Sequence, residues 1–258
     1  KSGQFRTHYT AMAAIFRSDA ALQAIAKNAT AQAAVSNASS SVMAKTVAIL
    51  ANLDPNSYAD MTAIASSSTA MTAVINNSVA LTAVVSSSTA MAAIQKSQTA
   101  LTAITASGMA TAKYAISAAG LNPADYADMT AVAASSTAMT AVAASSTAMT
   151  AIAASSVSRN AIMGSNTAKT ALASSPLKKT VTKSTSNNWE NRTISTGKGW
   201  VINCYNANSG GEAGSTWYNL DGTQYKNGAG TVAVNRFFIS SFSIYWWSSA
   251  SSVTYIPC

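Results

Sequence analysis

The central part of the chain repeats a short pattern of large apolar, small and hydroxyl-bearing residues every ten positions. The pattern is clearest between Asp128 and Ser156, where Ser-Ser-Thr-Ala-Met-Thr-Ala-Val-Ala-Ala recurs in tandem. Within one unit Met139 and Val142 stand three apart, which matches one face of a helix rather than the two-residue alternation of a strand. Ala and Met favour helices, and serine is a preferred N-cap residue. A fixed period of this kind predicts a stacked repeat array.

One continuous helix does not suit this period. Ten residues at about 100° each fall about 80° short of three whole turns, so the Met and Val stripe would wind around the helix. The pattern therefore predicts about two turns of helix per repeat, broken at the Ser-Ser pair, with each short helix stabilised by stacking on its neighbours. We expect an α-solenoid. A β-solenoid, which also tolerates short repeats rich in Ser, Thr and Ala, is the alternative.

The repeats predict an array over residues 11–175, preceded by an N-terminal linker or cap at residues 1–10. Two breaks in register divide the array into sub-arrays at about 11–52, 53–120 and 121–175. The phrase Leu-Asp/Asn-Pro-x-x-Tyr-Ala-Asp-Met opens the second and third sub-arrays. Its prolines, Pro55 and Pro123, are expected at the first position of a helix.

The composition changes where the array ends. A linker is predicted at residues 176–184, and beyond it aromatic residues replace methionine, with all five tryptophans in this last segment. Short alternating runs, such as 200–205 and 242–246, are separated by turn signals such as Asp221-Gly222. This predicts a small antiparallel β-sandwich over 185–258, an interaction domain expected to pack against the array or to oligomerise. The predicted fold is α+β with two domains.

Charged residues are few, and the net charge of +8 comes largely from the two ends of the chain. The basic cluster at 178–183 is interpreted as a solvated connector, the alternative being contact with an anionic cell surface or an acidic subunit. No run of about 18 apolar residues occurs, so we predict no membrane insertion, and we expect no nucleic-acid partner. Cys204 and Cys258 are interpreted either as two buried thiols or as one disulfide that ties down the C-terminus.

The sequence offers little for catalysis. Residues 196–199 only echo a phosphate-binding loop, because Arg192 stands where the first glycine belongs, and a hairpin turn is the preferred interpretation. Glycoside hydrolysis needs two carboxyl groups that flank one bond, and Glu212 with Asp221 is the pair considered. His8 has no nucleophile beside it in the sequence. We therefore predict that the protein is not an enzyme and holds no cofactor and no metal.

The last segment combines an excess of Trp and Tyr with loops of Asn, Ser and Gly. This composition suits a surface that stacks on sugar rings or binds another protein. Trp217, Tyr218 and Tyr225 are predicted to lie in loops and are candidates for surface contact. Of the adjacent pair Trp246 and Trp247, one is expected in the core and one outside, because neighbours on a strand face opposite ways. Trp246 is taken as the candidate for contact.

Tandem Ser-Ser-Thr-Ala-Met-Thr-Ala-Val units, followed by a compact β domain rich in Gly, Asn and Trp, resemble bacteriophage virion fibre proteins, especially tail-fibre and related appendage proteins. The resemblance is clearest over residues 60–175 and includes no catalytic motif. It implies a shaft-and-tip arrangement, assembly in the host cytoplasm, location in the virion, frequent homotrimerisation and contact with the host surface at one end.

We therefore expect a non-enzymatic virion structural protein with a repeat spacer and a C-terminal domain that binds a host-surface glycan or another virion protein. The expected partners are other virion proteins, a host-surface glycan or protein, and further copies of the chain in a homo-oligomer, most simply a homotrimer. A purely architectural collar, baseplate or capsid-decoration protein is the first alternative. A polysaccharide depolymerase and a secreted bacterial adhesin or ice-binding array are further alternatives.

Overall fold

The computed structural model describes residues 8–183, 187–207, 216–247 and 249–258. Among these residues, fifteen α-helices in a repeated array precede eight β-strands in two antiparallel sheets. The predicted α+β class with an array of short helices is therefore confirmed, and the β-solenoid alternative is wrong. The chain divides into two compact units, Lys1–Ser117 with Asn122–Asp128, and Ala118–Leu121 with Met129–Cys258.

The helices follow one another at the ten-residue period of the sequence. The first ten are α1 (Tyr9–Phe16), α2 (Asp19–Ala26), α3 (Ala29–Ser36), α4 (Ser40–Leu50), α5 (Met61–Ser66), α6 (Ser68–Ile75), α7 (Ser78–Val85), α8 (Ser88–Gln95), α9 (Gln98–Ala106) and α10 (Gly108–Ala118). After a 3₁₀ turn at Pro123–Asp125 come α11 (Met129–Ala134), α12 (Ser136–Ala144), α13 (Ser146–Ala154), α14 (Ser156–Gly164) and α15 (Asn166–Ala173).

The structure differs from the sequence predictions in where the array begins, in the role of Pro55 and in how the chain divides into units. The array begins at Tyr9, inside the segment predicted as a linker or cap, and residues 1–7 lie outside the described residues. Pro123 opens the 3₁₀ turn as expected, whereas Pro55 lies in a turn that does not begin a helix. The boundary between the two compact units falls at the second Leu-Asp/Asn-Pro phrase, which begins at Leu121. Helices α11–α15 therefore belong to the same unit as the β-strands.

Helices in the array pack most closely on the helix three places along the chain. These pairs are α1 with α4, α4 with α7, α5 with α8 and α6 with α9 in the first unit, and α11 with α14 and α12 with α15 in the second. Successive helices meet at a sharp corner, 107° between α6 and α7 and 102° between α12 and α13. Each unit is thus coiled with about three short helices per turn, the close contacts being those between successive turns.

One residue in an extended conformation is enough to make each corner in the second unit. Ser145 ends α12 and caps α13, with φ −104° and ψ 111°, so it is the C-cap of one helix and the N-cap of the next. Ser155 and Ser165 do the same for the following corners. The break needs neither Gly nor Pro, because a serine side chain replaces the hydrogen bonds that the chain loses there.

The corner serines also join successive turns of the coil. The Ser145 hydroxyl accepts from the amide of Ala148 at 3.2 Å and donates to the carbonyl of Ala118 at 3.0 Å. Ser97 makes the same pair of bonds, to Ala100 at 3.2 Å and to Ala65 at 2.6 Å. A hydroxyl can donate once and accept twice. One serine side chain therefore pairs with a free backbone amide of its own helix and with a free carbonyl in the preceding turn of the coil.

The buried face of a repeat follows the pattern expected from the sequence. In α12 the residues Ala138, Met139, Val142 and Ala143 are buried, while Thr140 is exposed. Burying a methionine or valine stabilises the fold by about 1.5–3 kcal/mol per side chain, and the flanking alanines let the helices approach closely. The prediction that Met139 and Val142 form the packing face is confirmed.

The strands form two four-stranded antiparallel sheets. The strands are β1 (Lys179–Thr182), β2 (Glu190–Ser195), β3 (Gly199–Asn206), β4 (Thr216–Leu220), β5 (Thr223–Asn227), β6 (Gly230–Phe238), β7 (Phe242–Trp246) and β8 (Ser252–Pro257). The first sheet has the order β1-β8-β3-β6 and the second the order β2-β7-β4-β5. Because β1 pairs with β8 over Lys179–Thr182, these four residues of the predicted linker at 176–184 belong to the first sheet.

The inner faces of the two sheets enclose an aromatic core that includes Phe238, Phe242 and Trp246. The first sheet is buried on its other face as well, where Trp200 lies between Ile256 and Phe237 across three strands. Helices α13 and α15 contact β3, and α14 contacts β6, so this face packs against the helical coil. The expectation that the small sandwich packs against the array is confirmed within the second unit.

Both cysteines are free thiols. Cys204 lies in the sandwich core opposite Val253 on β8, and Cys258 follows five residues after Val253 along that strand. At about 3.3 Å per residue the two Cα atoms are roughly 16 Å apart, whereas a disulfide requires less than about 7 Å. The disulfide alternative is therefore wrong for a single chain, and burial raises the pKa of the Cys204 thiol to about 12.

We predict that Ser145→Ala destabilises the second unit by about 2–3 kcal/mol, because it removes a helix cap worth about 1–2 kcal/mol and a hydrogen bond worth about 1 kcal/mol. The measurement is urea denaturation followed by helical circular dichroism. The adjacent Ser146, which is exposed, gives a matched control, and Ser146→Ala is expected to change stability by less than about 0.5 kcal/mol. Equal effects of the two substitutions would contradict the role of the corner serine.

Candidate functional site

The structure separates the four aromatic residues predicted to make surface contacts. Trp246 is fully buried between the sheets, so its assignment to the surface is wrong, and Trp247 is the half-exposed member of the pair. Tyr218 is also buried, because it points inward from β4. Trp217 and Tyr225 remain half-exposed, and all three of the predicted loop residues lie on strands.

Strand register explains this outcome and identifies the surface that is left. In the second sheet, Asn191, Tyr245, Trp217 and Lys226 are successive partners across β2, β7, β4 and β5. Since Ile244 and Tyr218, the chain neighbours of Tyr245 and Trp217, point into the core, this row points outward. The next row on that face is Thr193, Ser243, Asn219 and Gln224. We call these two rows the outer face of the second sheet.

Aromatic rings stand along one side of this face. Trp189, just before β2, stacks on Tyr245 with centroids 4.6 Å apart and an angle of 11° between the rings. Trp247 meets Trp189 edge-on at 5.6 Å. Offset stacking and edge-to-face contact are the favoured geometries for aromatic pairs, so the three rings support one another. Tyr245 nevertheless remains 37% exposed.

A shallow depression of about 290 Å³ lies on the outer face of the second sheet. Its lining includes three aromatic residues, Trp217 and Tyr245 from the outer face and the inward-pointing Tyr218, and the uncharged polar residues Asn191, Asn219, Gln224 and Ser243. Small-molecule sites usually measure about 300–1,000 Å³, so this one suits a short part of a larger ligand. Rings beside amide and hydroxyl groups can stack on an apolar ligand face while hydrogen bonding to its polar edge.

A buried lysine holds the segment that carries Trp189. The Lys183 side chain is fully buried, and its Nζ atom donates to Asn188 Oδ1 at 2.8 Å and lies 3.6 Å from Glu190 Oε2. Both partners are neighbours of Trp189 in the chain, so the lysine fixes the residue between them. The interpretation of the basic cluster at 178–183 as a solvated connector is wrong for Lys183.

Tyr218 and Tyr225 fill the inner side of the second sheet near its β5 edge. Their rings stack with centroids 5.1 Å apart, and the Arg236 guanidinium lies 5.1 Å from the centre of the Tyr225 ring. Burial is the main cause that raises the pKa of the Tyr218 hydroxyl. Both tyrosines therefore support the sheet from within, while Trp217 and Tyr245 face outward.

Asp221, one of the two carboxylates considered for glycoside hydrolysis, holds the β6–β7 loop by hydrogen bonds in this structure. Asp221 sits at the β4–β5 turn with φ 53° and accepts from the backbone amides of Ile239, Ser240 and Ser241 at 2.7–3.0 Å. Burial acts to raise the pKa of Asp221, but these hydrogen bonds outweigh it, so the pKa lies below its ordinary value. The other member of that pair, Glu212, lies outside the described residues.

No protein-family model matches the chain, and no curated protein matches it significantly. Among the described residues, no group of three or more His, Cys, Asp or Glu side chains could hold a metal ion. In the same part of the chain no single helix is long and apolar enough to cross a membrane, and two sharply bent helix pairs satisfy the criteria by length and composition only.

We predict that Lys183→Met loosens Trp189 without unfolding the sandwich, since Met has a similar length and the Glu190 carboxylate that loses its partner is 35% exposed and can be solvated. The near-ultraviolet circular dichroism of the aromatic residues should weaken, and amide exchange at residues 187–190 should accelerate. Lys179→Met, which removes an exposed lysine from β1, is the control and should change neither signal. Unchanged exchange in Lys183→Met would show that the lysine does not position the tryptophan.

We predict that Asp221→Asn lowers the melting temperature at pH 7 and that the difference from the unmodified protein disappears in acid. The folded-state pKa is below the ordinary value, so the stabilisation is present above about pH 4 and is lost as pH falls through the folded pKa. Thermal melts between pH 7 and pH 2.5 test this. Asn still tolerates positive φ, so turn strain does not contribute, and a difference independent of pH would refute the role of the charge.

Proposed function

We propose that the protein is a non-enzymatic structural component of a bacteriophage tail fibre or related appendage, in which the β-sandwich binds a glycan on the host surface. The resemblance of the tandem repeats to virion fibre proteins supports the first part of the proposal. The observation that carries the second part is the outer face of the second sheet, where Trp217 and Tyr245 stand beside Asn, Gln and Ser side chains.

The chemistry of this face matches that of a sugar. A pyranose ring offers patches of C–H groups that stack on aromatic rings, and hydroxyl groups that pair with amides and hydroxyls. Asn191 and Gln224 each carry both donors and acceptors, so they can bind a sugar hydroxyl in either role. Asn219, whose Oδ1 accepts from the Gly222 amide at 2.8 Å, offers its amino group as a donor. The rings are also held in place before binding, Tyr245 by Trp189 and Trp217 by its position in the sheet, which lowers the entropic cost of binding.

Under this proposal the helical coils act as a spacer. Their described surfaces are rich in Ser and Thr, and several exposed threonines donate to the carbonyl four residues earlier, for example Thr72 to Ser68 at 2.8 Å and Thr170 to Asn166 at 3.0 Å. Such hydroxyls are partly satisfied within their own helix. A homotrimer in the virion, with other virion proteins as further partners, follows from the resemblance to fibre proteins.

We expect Tyr245→Ala to weaken polysaccharide binding about tenfold or more, because it removes an aromatic contact worth about 1.4 kcal/mol or more. Tyr205→Ala is a matched control, since Tyr205 is 38% exposed but lies on the other sheet. The full chain would be tested by affinity electrophoresis in gels that contain bacterial surface polysaccharides, together with binding to whole cells.

Two results would overturn the glycan proposal. One is equal binding by the Tyr245→Ala and Tyr205→Ala variants. The other is an absence of binding to polysaccharides and cells while the protein associates with other virion proteins, which would favour a purely architectural place in the particle.

A further inference from the structure

The outer face of the second sheet carries one exposed cation, held beside an aromatic ring. Lys226 on β5 is the cross-strand partner of Trp217 on β4, and its Nζ atom lies 5.1 Å from the centre of the Trp217 ring. A cation at this distance from a tryptophan face is attracted to it. The ammonium group is therefore kept at the rim of the depression, although the lysine as a whole is exposed.

Among the described residues, the remaining outward side chains of the two rows are uncharged: Asn191, Tyr245, Trp217, Thr193, Ser243, Asn219 and Gln224. The nearest acidic residues have other contacts. Glu190 pairs with the buried Lys183, and Asp221 accepts the amides of the β6–β7 loop. Within the described part of the chain, the Lys226 charge is therefore not offset by a carboxylate on its own face.

We infer that this face selects acidic polysaccharides, in which a sugar ring carrying a carboxylate or phosphate rests beside Trp217 and its anionic group pairs with Lys226. This inference rests on the proposed glycan-binding function and names the substrate class. An ammonium group is a compact charge with three donors, which suits a carboxylate or a phosphate equally. The Gln224 amide and the amino group of Asn219 are left for the sugar hydroxyls.

The test uses the full chain and three polymers: polygalacturonate, its fully methyl-esterified neutral form, and a phosphomannan, whose mannose rings carry phosphate. We expect the unmodified protein to bind at least one acidic polymer about tenfold more tightly than the neutral ester. A charge-assisted hydrogen bond is strong enough to account for about a tenfold difference in affinity. The polymer preferred distinguishes a carboxylate from a phosphate ligand. Affinity for the acidic polymer should fall as salt rises from 50 to 300 mM, because exposed charges are screened.

Two lysine variants and one control isolate the charge. Lys226→Met keeps the apolar stem beside Trp217 and should lose about tenfold in affinity for the acidic polymer, with unchanged affinity for the neutral ester. Lys226→Arg keeps the charge and should retain the preference. Lys96→Met removes an exposed lysine from the end of α8, changes the net charge equally and should bind as the unmodified protein does.

The outcomes separate this inference from the function on which it rests. Equal binding of acidic and neutral polymers that still depends on Tyr245 would overturn the acidic preference and leave the glycan site intact. An equal loss in Lys96→Met and Lys226→Met would assign the attraction to the overall charge of +8 and would also overturn it. If no polymer binds in a manner that depends on Tyr245, the glycan-binding function itself fails.

Discussion

The helical array depends on a serine side chain that makes two hydrogen bonds at each of several corners. A helix of eight or nine residues leaves a large share of its backbone donors and acceptors without an internal partner, and an isolated helix of that length is unstable in water. At Ser97, Ser145 and Ser165, the hydroxyl accepts from its own helix and donates to a carbonyl 27 or 32 residues earlier. Local capping and the packing between successive turns are therefore accomplished by the same side chain.

This arrangement accounts for the composition of the chain. The corner must be small, must hydrogen bond and must tolerate an extended backbone, and serine satisfies all three conditions. At one corner asparagine takes the place of serine: Asn77 accepts from Ala80 at 3.0 Å and donates through its amide to Leu50 at 2.8 Å. Alanine and methionine then fill the interior, so charged residues have little part in holding the array together.

The packing of the sandwich decides which surface is available for function. The central strand β3 of the first sheet is covered over most of its length, by the second sheet on one side and by α13 and α15 on the other. The second sheet is covered on its inner face, and its outer face carries the exposed Tyr245 and Lys226. Trp189, Trp217 and Tyr245 consequently stand together on this face, although they are far apart in the sequence.

The sequence by itself determined the local structure, because periodicity, capping and turn chemistry act among near neighbours. The features determined in this way are the short helices, the corners at serine, the packing face of Met139 and Val142, and the Asp221-Gly222 hairpin. It did not determine which aromatic residues reach the surface. Trp246 and Tyr245 are adjacent and both aromatic, and only the register of β7 between β2 and β4 places the first in the core and the second outside. The local pattern predicts a solvated connector at Lys183, yet the tertiary structure buries it against Asn188 and Glu190. Both outcomes depend on pairings between distant segments, of β7 with β2 and β4 and of the Lys183 backbone with Ala250 and Ser251, which local pattern does not encode.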